Sequence, residues 1–163
     1  MATTASSGTA IVTTPSDTQI LITREFAAPR HLVWRAWTEP ELIERWWAGQ
    51  RGTVDSAEVE LGVGGTWRYV MTADGGHEVA FHGTFREIVP QQRLVNTEVF
   101  EGMPGDGVLV ETTFAEQDGH TTLTQLITAP SQQVRDAILA SGMESGMQES
   151  MDALEQVVVS LPA

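Results

Sequence analysis

Cysteine is absent from the 163 residues. That excludes disulfides, thiolate metal sites and cysteine nucleophiles, and it fits a reducing, cytoplasmic setting. Basic residues are scarce, 9 against 22 acids, for a net charge of −13. Such a surface repels phosphate backbones and anionic lipid, so neither nucleic acid nor a membrane is an expected partner. No apolar run approaches the roughly 20 residues of a membrane span. The opening stretch, MATTASSGTAIVTTPSD, has no basic residue and no long apolar core, so it does not read as a secretory signal. Its small, polar composition predicts a disordered N-terminal tail over residues 1–17. Residues 18–163 are then the size of one domain with its own core.

The alternating stretch QILITREF, residues 19–26, predicts a strand. Two short helices follow with one pattern ten residues apart: Leu32, Val33, Ala36 and Trp37, then Leu42, Ile43, Trp46 and Trp47. Each set covers one helical face, with Arg35, Glu44 and Arg45 opposite. Pro40 separates the helices and Gly49 is placed to end the second. The phase puts Trp46 near the middle of the apolar face, closer to any cavity, and Trp47 at its rim in a structural role. Trp34 falls outside the face and is expected to be half exposed.

From about residue 54 the period becomes two. VDSAEVEL, TWRYVMT, HEVAFHGTFREIV, RLVNTEVF, VLVETTFAEQ and TTLTQLIT read as six further strands, seven in all. Tight turns between them imply an antiparallel meander. In RLVNTEVF the inward set is either Leu94, Asn96, Glu98 and Phe100 or Val95, Thr97 and Val99. The C-terminal stretch from Ser131 reads as one long helix, capped by Ser131. One of its stripes holds Met143, Met147 and Met151, and a bare stripe beside it holds Gly142 and Gly146. The expected fold is α+β. A curved antiparallel sheet wraps the long helix, and two short helices close one end, together enclosing a cavity.

Four stretches, ITREFAAPRHLVWRAWTEPELIERWW, VGGTWRYVM, FHGTFREIVPQQRLV and SGMESGMQESMDALEQ, carry a resemblance. They are similar in kind and order to the Bet v 1/START-like (SRPBCC) superfamily, and within it to bacterial proteins related to the C-terminal domain of the activator of Hsp90 ATPase. The resemblance implies a helix-grip fold around a hydrophobic cavity. It implies less about activity, because that superfamily hosts binders, cyclases and oxygenase domains on one frame.

Catalytic motifs are few. HEVAFH resembles a zinc-protease helix, but His77 and His82 are five apart in a strand and point to opposite faces. The glycines at 62–65 lead into a strand rather than a helix N-terminus, so they do not read as a phosphate loop. No catalytic set, metal site or cofactor motif is recognised. The leading expectation is binding of a small hydrophobic molecule by Trp46, Trp67, Tyr69, Phe85, Glu98, Val110, Thr112, Met143, Gly146 and Met147. Gly146 is expected to leave ligand space beside the two methionines. One alternative is a lyase or cyclase using Glu98, Tyr69 or Arg68 on an apolar ring substrate, with a desolvated Glu98 as acid or base. The other is a stress- or chaperone-related interaction protein, with a homodimer through an exposed Trp34 or a sheet edge as its candidate assembly.

Overall fold

The computed structural model describes residues 9–102, 105 and 107–162. Its order is β1 (Ile11–Thr13), β2 (Gln19–Phe26), α1 (Arg30–Thr38), α2 (Pro40–Trp46), β3 (Gly52–Val59), β4 (Thr66–Ala73), β5 (Glu78–Val89), β6 (Arg93–Phe100), β7 (Val108–Gln117), β8 (His120–Thr128), α3 (Gln132–Ala140) and α4 (Met143–Ser160). One antiparallel sheet runs β1-β2-β8-β7-β6-β5-β4-β3. Irregular pairing at Val54/Ser56 and Phe85/Glu87 bends it. The α+β helix-grip architecture is therefore as expected, with eight strands where seven were predicted.

The additional strand lies inside the expected tail. Residues 1–8 fall outside the described residues, but Ile11–Thr13 pairs with β2. Ala10 is buried and exchanges two hydrogen bonds with the Gln148 side chain, at 3.0 and 2.8 Å. This stretch is anchored through backbone groups, which composition does not reveal.

The C-terminal helix is in two pieces. Ser131 caps α3, accepting from the Val134 N–H at 3.2 Å. Gly142 then adopts φ +84°, a left-handed conformation that ends one helix and starts the next. The deep half of α4, with Met151, Leu154, Val157 and Val158, is buried in the core, while Met143 and Met147 are half-buried. Arg24, only 2% exposed on β2, anchors α4 through Asp152 at 3.0 Å and Glu155 at 2.6 Å. Its guanidinium also lies 5.0 Å from the centre of the Phe26 ring. Among the described residues no helix is long and apolar enough to cross a membrane.

α1 and α2 close one end. Trp34 is 9% exposed, not half exposed, because it meets the Phe114 ring edge-on at 5.3 Å. The helical phase identified one apolar face, but α1 has a second side covered by the sheet. Trp46 stacks on Trp37 at 5.1 Å and donates its indole N–H to the Ala36 carbonyl at 2.8 Å. Trp46 is therefore bound within the helical cap.

A half-buried aromatic face with unpartnered polar groups

The concave face follows from strand phase. On β7, Val110, Thr112 and Phe114 are buried, while Glu111 and Thr113 between them are partly exposed. On β6, Leu94 and Asn96 are buried, and Val95 is buried on the other face as well. That double burial made the period of this strand ambiguous. The pairing of Phe81 with Phe100 settles it, because the two rings stack at 5.0 Å. Phe100, Glu98 and Asn96 therefore share the inward face.

Trp47 completes this face. The last helical residue of α2 is Trp46, and Trp47 is the cap beyond it. Its ring meets Tyr69 at 5.3 Å and Phe81 at 5.0 Å, both edge-on. Ser150 of α4 donates to the Trp47 carbonyl at 2.8 Å and fixes the corner. The expected roles of the tandem tryptophans are thus exchanged. Trp46 is the structural one, and Trp47 looks onto the concave sheet.

Trp67 packs against Tyr69 at 4.6 Å and lies across β5, donating to the Thr97 carbonyl at 3.1 Å. This crossing needs Gly83, where an added Cβ would collide with the Thr97 carbonyl and the Trp67 indole. Trp47, Tyr69, Phe81, Phe100, Met143 and Met147 are each partly exposed along one end of the concave face. Two surface clefts, of about 510 and 530 Å3, lie to either side: one outside α4 near Arg45 and Gln156, the other over β3–β5, lined by Glu58, Trp67, Arg68, His82 and Gly83.

Two polar groups on the concave side lack partners among the described residues. Thr112 is fully buried, and its Oγ1 accepts and donates no hydrogen bond among the described residues. Its strand neighbour Thr113 faces the other way and pairs its hydroxyl with Thr124. Glu98 likewise has no hydrogen-bond or ion-pair partner among the described residues, and burial pushes its carboxyl up to about 7. Burial raises the Tyr69 phenol as well, with the Glu98 charge adding to the effect.

Of the residues named from sequence, Trp67, Tyr69, Phe85, Glu98, Val110 and Thr112 fall on the concave side of the sheet. Met143 and Met147 come from the covering helix. Trp46 belongs to the cap, and Gly146 turns away from the methionine stripe. A Cβ at Gly146 would sit 3.4–3.5 Å from the Arg51 guanidinium. Arg68 is on the outer face, paired with Glu101 at 2.8 Å, and His82 joins the same carboxylate at 2.9 Å. Those two contacts hold Glu101 down at about 2. Sequence reading left Trp47, Phe81 and Phe100 out of the proposed lining, although Phe100 stood in one of the two inward sets, and it missed the Arg24 anchor. Phe81 carried a signal, since it alternates with His82.

Comparison with known proteins agrees with this architecture. The family described as Activator of Hsp90 ATPase homolog 1-like protein matches residues 27–159. A crystal structure from Rhodobacter sphaeroides is 25% identical, with TM-score 0.85, covering 94% of this chain and 99% of that one. A solution structure from Arthrobacter aurescens is 26% identical, with TM-score 0.83 and coverages of 94% and 92%. The AHSA1-like protein from Aeromonas hydrophila is 26% identical, with TM-score 0.68 and coverages of 86% and 92%. No curated protein matches.

Proposed function

We propose that this chain, which belongs to the family of Activator of Hsp90 ATPase homolog 1-like proteins, binds a small hydrophobic molecule on the concave face between α4 and the sheet. The observation that carries the reading is the partly exposed patch of Trp47, Tyr69, Phe81, Phe100, Met143 and Met147 on the concave side, with the Thr112 hydroxyl buried further along the same face and unpartnered among the described residues. A buried hydroxyl left unpaired costs about 1–3 kcal/mol, so it is well used where a ligand satisfies it. Such a half-exposed aromatic and methionine surface is the usual lining of a ligand site, and methionine adapts to varied apolar shapes.

One observation favours a second reading, the lyase or cyclase. A carboxyl near 7 beside a phenol is suited to proton transfer. Arg68 takes no part in it, because it is exposed on the opposite face. The interaction-protein reading loses its exposed Trp34.

The binding reading is tested with N-phenyl-1-naphthylamine, a neutral apolar fluorophore. The native protein should enhance its emission saturably. Met147→Glu places a charge at the rim and should weaken binding by tenfold or more. Val63→Glu, on a residue 72% exposed in the β3–β4 turn, should leave binding unchanged. Absence of saturable binding, or sensitivity to the change at Val63 alone, overturns the reading.

A further inference from the structure

We infer that the molecule bound on the concave face is a cationic amine with an apolar body, its ammonium group docked at Glu98 among the surrounding rings. This rests on the binding reading above and adds the ligand's chemical class.

Three observations converge. Glu98 faces inward, flanked along its own strand by Asn96 and Phe100 and paired across to Val108 on β7. Among the described residues no ion pair reaches it. Arg24, Arg35, Arg51, Arg68, Arg93 and Arg135 are each paired with another carboxylate. An inward carboxylate without a countercharge leaves a site that an incoming cation fills.

The second observation is the company Glu98 keeps. Phe81 and Phe100 stack, Trp47 meets Phe81 and Tyr69 edge-on, and Trp67 packs against Tyr69. Aromatic faces are electron-rich and attract a desolvated ammonium, while they repel an anion. The third is the whole molecule's field. A net charge of −13 draws cations and repels anions. Together these exclude an anionic ligand and favour an amine over a neutral molecule of the same shape.

The polar groups also set the ligand's extent. Thr112 pairs with Leu94, four residues along β6 from Glu98. At about 3.4 Å per residue the two are roughly 14 Å apart along the strand. Val110 and Asn96 lie between them. The apolar body lies along this strip, with the ammonium end towards the aromatic rim and the far end towards the Thr112 hydroxyl.

The test compares two probes of one shape, 2-(1-naphthyl)ethylamine and 2-(1-naphthyl)ethanol, by calorimetry at pH 8. The native protein should bind the amine at least tenfold more tightly. Glu98→Gln should bring the two affinities to within about twofold while keeping the alcohol's. Glu101→Gln removes the same charge from the outer face and should keep the preference. Circular dichroism confirms that both variants are folded. Equal affinity of the two probes for the native protein overturns the inference and leaves the binding reading standing. So does a preference that survives in Glu98→Gln or falls equally in Glu101→Gln, since bulk charge then explains it. Failure of both probes to bind overturns the inference and the binding reading together.

Discussion

Thr112→Val should stabilise the ligand-free protein. Valine has nearly the shape of threonine and an equal liking for a strand, so packing and backbone change little. What changes is the Oγ1, which is fully buried and unpartnered among the described residues. Replacing it by a methyl group removes a desolvation cost of about 1–3 kcal/mol. For a chain of this size each kcal/mol raises the midpoint by about 2–4 °C, so the expected gain is roughly 2–12 °C. Urea unfolding should show a higher midpoint with an unchanged slope. Thr113→Val is the internal control. It sits one residue along the same strand but takes a hydroxyl away from Thr124, so it should be neutral or destabilising. A loss of 1 kcal/mol or more in Thr112→Val would refute the reasoning. It would mean that the hydroxyl is already satisfied and is not poised for a ligand.

Trp46→Ala should cost about 3–5 kcal/mol, because it removes a buried ring, its stack on Trp37 and its bond to Ala36. Trp47→Ala should cost less stability but weaken probe binding more, and equal effects on both measurements would contradict the exchanged roles. Gly146→Ala should raise stability by up to about 1 kcal/mol, since helix propensity improves and the new methyl meets only the mobile end of Arg51 at 3.4 Å; a lower melting temperature would show that the close approach is rigid. Glu98 binds its proton more tightly folded than unfolded, so native stability should fall as pH rises from about 4.5 to about 7. Solvent still reaches part of this side chain, which limits the loss to the order of 1–3 kcal/mol. Glu98→Gln should flatten that segment of the pH profile, and a profile it leaves unaltered would refute the assignment. Glu101, held at about 2, acts only below this window.

The sheet and its cap were legible because period and turn chemistry are local. Two-residue alternation located seven strands, and repeated apolar faces located α1 and α2. What failed was information that depends on a partner. Helical phase says which side of α2 is apolar but not what each ring meets: Trp47 keeps helical φ and ψ and donates to the Ile43 carbonyl, and only the neighbouring strands show that its ring faces Tyr69 and Phe81. Trp34 was misjudged because α1 is covered on a second side. Within the C-terminal helix, Gly142 was visible only as part of a bare stripe, because no local pattern gives the sign of its φ. The Arg24 anchor joins residues 128 and 131 positions apart, a distance no local pattern spans. For the site, strand phase found Thr112, Val110 and Tyr69, while β6 stayed ambiguous because both of its faces are buried near Val95.

The most direct test of a ligand-binding concave face is a set of intermolecular nuclear Overhauser effects between bound N-phenyl-1-naphthylamine and assigned methyl groups. Contacts to Met143, Met147, Val110 and Thr112, all from one bound pose, are expected. Contacts confined to the exposed turn at Leu61 and Val63, or none at saturating probe, would contradict it.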